Sequence, residues 1–195
     1  MKEHRFLSAQ EAGTFLRQQL EGDLKGQIAL RDHAVLILPG GNSIKLFFPY
    51  LISLDVPWDK ITIGLSDERC VPLDHEMSNE KQLKECFLDF LSKYNYCSLN
   101  QELIEKIQKF PPITVLSMGA DGHVASLFPE EHEDWKHVGV GIYETKKQSP
   151  KRVSLSEKTI LLSSNVYMLV VGNEKNYFFD SDKLKSLPAN TILKT

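Results

Sequence analysis

The feature that most constrains this chain is an alternation. Short continuous apolar runs, bounded by glycine, proline or polar residues, are separated by stretches whose apolar residues recur at helical spacing. The runs are Ala34 to Leu38 (AVLIL), Ile61 to Leu65 (ITIGL), Ile113 to Met118 (ITVLSM), Val138 to Tyr143 (VGVGIY) and Val166 to Gly172 (VYMLVVG). A strand that is apolar along its whole length is buried on both faces, as in a parallel sheet covered by helices. Between the runs, Ser8 with Glu11 reads as a capping box. It opens a helix whose apolar face is Ala12, Phe15, Leu16 and Leu20. Asn42 or Ser43 is expected to cap a helix through "NSIKLFFPYLIS". An interior proline costs ~3 kcal/mol, so Pro49 predicts a kink or break there. Ser78 is expected to cap a helix with the face Leu83, Phe87, Phe90, Leu91 and Tyr94. Another follows Asn100 with Leu103, Ile104 and Ile107, and a closing helix starts near Asn173. Strands alternating with helices predict an α/β fold, a mostly parallel sheet with helices on both faces.

Composition narrows the class. A length of 195 residues suits one domain, residues 1–195, and 42% hydrophobic with 25% charged residues suits a packed globule. A formal net charge of -3 lacks the basic excess of a nucleic-acid binder. No apolar run approaches ~18 residues, so no membrane-spanning helix is expected. The start, "MKEHRFLSAQEAG", has no apolar core of a secretory signal. Cys70, Cys86 and Cys97 are odd in number and not closely paired, which argues against a disulfide framework or a zinc site. A cytoplasmic protein with reduced thiols is expected. No HxxxH, CxxC or carboxylate cluster has metal spacing, so no metal is expected.

In such sheets ligands bind beyond the carboxyl ends of the strands. Three candidate strands end in polar or glycine-rich loops: Pro39 to Ser43, Ser66 to Arg69, and Gly119 to His123. Gly40 and Gly41 allow close backbone approach, and Asn42 and Ser43 add side-chain donors at a helix start that favours an anion. The same stretch also reads as a plain strand-to-helix turn. Arg69 could hold a phosphate or stabilise an oxyanion; with Asp67 and Glu68 it also reads as a surface ion pair. His123 could take a proton from water and return it to a leaving group, with Asp121 fixing its tautomer. The alternative is a loop histidine beside an Asx-type turn. Arg152, on an expected strand in "PKRVSL", and Lys175, near an expected helix start, could each reach an anion or remain solvated charges.

Taken together the stretches resemble a known family. "SDERCVPLDHEMSN" and "MGADGHVASLFP" closely resemble two signature stretches of the 6-phosphogluconolactonase family, and "LPGGNSIKLF" resembles its first strand-turn-helix more loosely. "SPKRVSLSEKTI", "VVGNEK" and "LPANTI" are similar to later elements, in the family's order. The related glucosamine-6-phosphate deaminases diverge after the histidine, where this chain has Ser126-Leu127-Phe128-Pro129. The resemblance implies a Rossmann-like three-layer α/β/α domain. It implies hydrolysis of the small-molecule sugar-phosphate lactone 6-phosphoglucono-δ-lactone, in the oxidative pentose phosphate pathway, without a cofactor or metal. His123 would activate water and then protonate the leaving ring oxygen, with Asp121 orienting it. Arg69 would contact the phosphate or the tetrahedral oxyanion. Gly40, Gly41, Asn42 and Ser43 would line the sugar-phosphate end, and Arg152 and Lys175 would supply positive charge.

The chain also departs from the family's pattern. Pro39, Asn42, Ser43 and Ile44 replace the usual Ser, Ser, Thr and Pro around the first glycine turn, and Ser117 stands where Gly is usual. Two other readings follow: a sugar-phosphate isomerase or deaminase of the same fold, and a non-catalytic sugar-phosphate-binding domain. The residues after His123 argue against the first. Retention of Asp121, His123 and Arg69 argues against the second.

Overall fold

The computed structural model describes residues 2–91, 93–128, 139–143, 150–172 and 191–195. In chain order the elements are β1 (Lys2–Arg5), α1 (Ala9–Arg31), β2 (Ala34–Leu38), α2 (Asn42–Lys45), α3 (Phe48–Ile52), β3 (Ile61–Leu65), β4 (Asp67–Arg69) and α4 (Asn79–Cys86). Then come β5 (Asn95–Tyr96), α5 (Gln101–Lys109), β6 (Ile113–Ser117), β7 (Val140–Tyr143), β8 (Arg152–Leu155), α6 (Glu157–Ile160), β9 (Asn165–Val170) and β10 (Thr191–Lys194). Seven strands form one sheet in the order β1-β10-β9-β6-β2-β3-β5. Every pairing in it is parallel.

The apolar runs are continuous because each strand feeds two cores. Successive side chains point to opposite faces. Leu36, Ile63, Val115 and Leu169 join one core, under α1, α3 and α4. Val35, Ile37, Leu116, Met168 and Val170 join the other, against α5 and α6. This is the three-layer α/β/α arrangement expected from the alternation.

The sheet has a reversal of direction at its centre. From β2 the chain moves outward through β3 to β5, then returns to β6 on the other side of β2 and moves outward through β9 to β10. The carboxyl ends of β2 and β6 therefore flank the switch point, where open α/β sheets leave a crevice.

Local chemistry explains the helix boundaries. The Ser8 hydroxyl accepts from Glu11 N, and the Glu11 carboxylate accepts from Leu7 N at 3.0 Å, a capping exchange at the start of α1. The helix expected from Asn42 breaks in two, α2 and α3, and Pro49 lies in the first turn of α3, where its missing N–H costs nothing. Neither Asn42 nor Ser43 is the cap. Gly41 is, with φ +86° and no side-chain bond, because the chain enters the helix through a left-handed turn. Ser78 caps α4 as expected, accepting from Lys81 N at 3.1 Å.

Other elements differ from the sequence expectation. α4 ends at Cys86, because Phe87 (φ −138°, ψ −60°) leaves helical geometry. Leu88 then takes the place in the core expected of Phe90, which is 65% exposed. The run at Val138 to Tyr143 was expected in the parallel sheet; Val140–Tyr143 instead pairs antiparallel with β8. Asp67–Arg69, expected as a loop, is also a strand, and β4-β8-β7 form a second, antiparallel sheet. β1, β5 and β10 had no apolar signature of their own. The helix expected from about Asn173 lies outside the described residues.

Leu36 is fully buried and Leu30 is 74% exposed. Leu36→Ala is expected to lower unfolding stability in denaturant by about 2–5 kcal/mol. Leu30→Ala should change it by less than about 0.5 kcal/mol. Equal effects would contradict the assignment of this core.

Candidate active site

A cavity of about 190 Å³ opens at the switch point. Its walls come from the turn after β2 (Pro39 to Ser43), from the second sheet (Asp67, Arg69 and Arg152), from Asn79, and from the end of β6 and the loop that follows (Ser117 to Gly119, His123 and Ala125). The structure thus brings Gly40, Gly41, Asn42, Ser43, Arg69, Arg152 and His123 to one place. Asp121 joins them through His123. Lys175 lies outside the described residues.

The loop after β6 is built to present the imidazole. Gly119 N donates to His123 O at 2.8 Å and Gly122 N to Gly119 O at 3.1 Å, closing a tight turn. The His123 amide donates to Asp121 Oδ1 at 3.4 Å. His123 Nδ1 bonds the same carboxylate oxygen. The imidazole lies directly over Gly119, where any Cβ would overlap Cε1 and Nδ1 of the ring. Phe128 stacks against the imidazole, its centroid 4.8 Å from that of His123. Ala125 sits at φ +53°, a left-handed conformation that costs about 1–2 kcal/mol for a residue with a Cβ. That strain is held by the paired bonds between Val124 and Leu127, at 3.2 and 2.9 Å.

Burial opposes ionisation of Asp121, but its hydrogen bond to His123 and the charge of that ring outweigh it. The carboxyl therefore sits below the usual aspartate value. An ionised carboxylate only accepts, so Nδ1 carries the ring proton and Nε2 is left as the basic nitrogen. This is the arrangement of a general base with its orienting acid.

Strand alternation places the charged groups. In β4, Asp67 and Arg69 face the cavity, while Glu68 turns the other way. The Glu68 carboxylate accepts from Asn79 N at 2.7 Å, Glu80 N at 2.7 Å and Ser78 Oγ at 3.1 Å, so it ties the start of α4 to the strand. In β8, Arg152 lies opposite Arg69 and Ser154 opposite Asp67. Arg69 Nη1 donates to Met77 O at 2.9 Å. Arg152 is only 4% exposed and stands 3.8 Å from the equally buried Asp67. Burial and then the facing Arg69 hold the Arg152 pKa below its ordinary value, against the attraction of Asp67 and Asp121. Two guanidiniums lining one cavity are groups that can bind an anion.

Sequence reasoning missed Asp67, Asn79 and Ser126 as parts of this site. Asp67 had a signal: two residues before Arg69, it must share that residue's face once the segment is a strand. Asn79 packs its amide against Gly40 and donates to Asp67 O at 2.9 Å. Ser126 donates to Asp67 Oδ2 at 2.7 Å. Neither partnership is visible before the fold is known.

The Asp121–His123 bond has a testable sign. A carboxyl depressed in the folded state stabilises the fold above its unfolded value, ~3.9, and that gain is lost as pH falls through the folded value. Asp121→Asn should therefore lower unfolding stability at neutral pH, with the difference from wild type shrinking as the pH falls below ~4. Denaturant titrations across that window measure it. A difference independent of pH would contradict the assignment.

Comparisons with known proteins identify the family. The family model described as "Glucosamine-6-phosphate isomerases/6-phosphogluconolactonase" matches residues 8–195. The 6-phosphogluconolactonase of Treponema pallidum (strain Nichols) is 31% identical over 199 residues, covering 90% of this chain and 81% of its own. That of Neisseria meningitidis (strain MC58) is 29% identical over 214 residues, covering 97% of this chain and 93% of its own. The crystal structure of a 6-phosphogluconolactonase from Shewanella baltica superposes with a TM-score of 0.86 at 23% identity, covering 100% of this chain and 98% of that one. That likeness shows a shared fold. With the family model spanning nearly the whole sequence, the chain belongs to the glucosamine-6-phosphate isomerase/6-phosphogluconolactonase family.

Proposed function

We propose that this chain hydrolyses 6-phosphoglucono-δ-lactone to 6-phosphogluconate. The observation that carries the reading is the pairing of His123 with Asp121 at a cavity that His123, Arg69 and Arg152 line together. The names of the relatives from Treponema pallidum and Neisseria meningitidis support it. The product is an acid of the oxidative pentose phosphate pathway.

The residues divide the work as follows. His123 Nε2 takes a proton from water as its oxygen attacks the lactone carbonyl carbon. The carbonyl oxygen becomes an oxyanion, and a guanidinium beside it stabilises the developing charge. When the tetrahedral intermediate collapses, the bond from that carbon to the ring oxygen breaks. The protonated His123 returns its proton to the ring oxygen, which leaves as a hydroxyl. Asp121 keeps Nε2 as the basic nitrogen and stabilises the imidazolium between the two transfers. No external oxidant or acceptor enters the balance.

The other anionic end, the phosphate, falls to the remaining cation and to the turn at Gly40, Gly41, Asn42 and Ser43. α2 is only four residues long, so its contribution is its first N–H groups rather than a long helix dipole. The Ser-to-Pro departure at Pro39 removes one N–H and one hydroxyl from this end. Lys175 completes the positive charge in this reading.

Purified protein and freshly prepared lactone test the reading directly. Hydrolysis is expected well above the spontaneous rate, and His123→Ala should lower it by about 10²–10⁴-fold. Wild type no faster than buffer would refute the activity. An unimpaired His123→Ala would refute the role of the histidine.

A further inference from the structure

Ser117 is the last residue of β6 and lines the cavity. It is partly exposed, and among the described residues no hydrogen bond engages its hydroxyl. Strand alternation sets where it faces. Val115 joins the core under α1, α3 and α4, whereas Leu116 and Met118 join the other. Ser117 therefore shares the face of Val115.

Two features of the site lie on that face. Gly119 comes next in the alternation, and the His123 imidazole fills the place of its missing side chain. On β2, Gly40 follows Leu36 and Leu38 in the same way, and the Asn79 amide fills its place. β2 and β6 pair at Leu36–Ile113 and Ile37–Thr114, and Gly40 and Ser117 stand equally far beyond the second pair. Ser117 is thus level with the glycine turn. It is also one strand repeat, about 6–7 Å, from the residue over which the imidazole lies.

We infer that Ser117 is a substrate-binding residue whose hydroxyl bonds a hydroxyl of the sugar. The inference rests on the reading of this cavity as a sugar-phosphate lactone site and adds a specificity residue to it. In that reading the carbonyl lies at His123 and the phosphate at the glycine turn with a guanidinium. Ser117 stands beside the path between them, where the substrate presents neutral hydroxyls. A serine hydroxyl both donates and accepts, as a sugar hydroxyl does, whereas Arg69 and Arg152 can only donate.

Calorimetry tests this with 6-phosphogluconate, inorganic phosphate, and a set of 6-phosphogluconates that each lack one hydroxyl. Ser117→Ala should weaken 6-phosphogluconate about three- to tenfold and leave inorganic phosphate unchanged. One member of the set should bind wild type more weakly by a similar factor. Ser117→Ala should bind that member as well as wild type does, because the partner hydroxyl is already gone. With the lactone, KM should rise by the same factor while kcat changes far less.

Unchanged affinity for 6-phosphogluconate in Ser117→Ala would overturn the inference. So would an equal loss for inorganic phosphate, which would put the hydroxyl at the anion. A full penalty with every member of the set would overturn it too, and leave a role in shaping the cavity. Wild type that binds no 6-phosphogluconate would do the same. Wild type that binds 6-phosphogluconate without hydrolysing the lactone would refute the proposed activity alone, and the affinity ratios would still decide the role of Ser117.

Discussion

Two arginines facing each other across β4 and β8, with one buried carboxylate beside them, set the terms for everything around them. Burial and the facing Arg69 both disfavour the charge on Arg152, and Asp67 and Asp121 favour it. Asp67 offsets one positive charge, and two serines hold Asp67 in turn. Glu68, on the opposite side of the same strand, anchors α4, which brings Asn79 against the glycine turn. A three-residue strand thus organises one wall of the cavity through simple alternation. The short second sheet exists to place it.

The parallel sheet does a different job. Its strands bury both faces, so their positions are fixed by two cores at once. The turns after β2 and β6 inherit that rigidity, and a base needs to be held within a fraction of an ångström of its working place. Gly119 shows how tightly the fold is drawn there, since the imidazole occupies the space of its missing side chain. The strained backbone at Ala125 is tolerated because buried Val124, Leu127 and Phe128 hold the loop down.

The sequence revealed some of this and hid the rest for identifiable reasons. β2, β3, β6 and β9 announce themselves because burial on both faces leaves an unbroken apolar run. β1 and β5, at the sheet's edges, carry mostly polar residues and are strands only because a neighbour distant in sequence pairs with them. β4 was unreadable for the same reason: "DER" resembles a loop until Arg152 and Ser154 lie opposite it. The glycine turns and the adjacent Asp121 and His123 were legible as a candidate site because three polar or glycine-rich loops fall together at strand ends, although each alone also reads as a plain turn. The roles of Asp67 and Ser126 were not, since 59 positions separate the two ends of their bond. The motif "VASLFP" marked the loop as distinctive, but only the fold shows that its serine reaches Asp67.

The central claim is that one cavity orients a sugar-phosphate lactone with its carbonyl carbon at His123 and its charge against the arginines. A crystal structure with 6-phosphogluconate bound tests it most directly. The account predicts a carboxylate oxygen of the ligand within reach of His123 Nε2, directly or through one water, at hydrogen-bonding separations of about 2.6–3.2 Å. At least one of Arg69 and Arg152 should contact an anionic group of the ligand. A ligand seated elsewhere, or one with its carboxylate turned away from His123, would contradict the account.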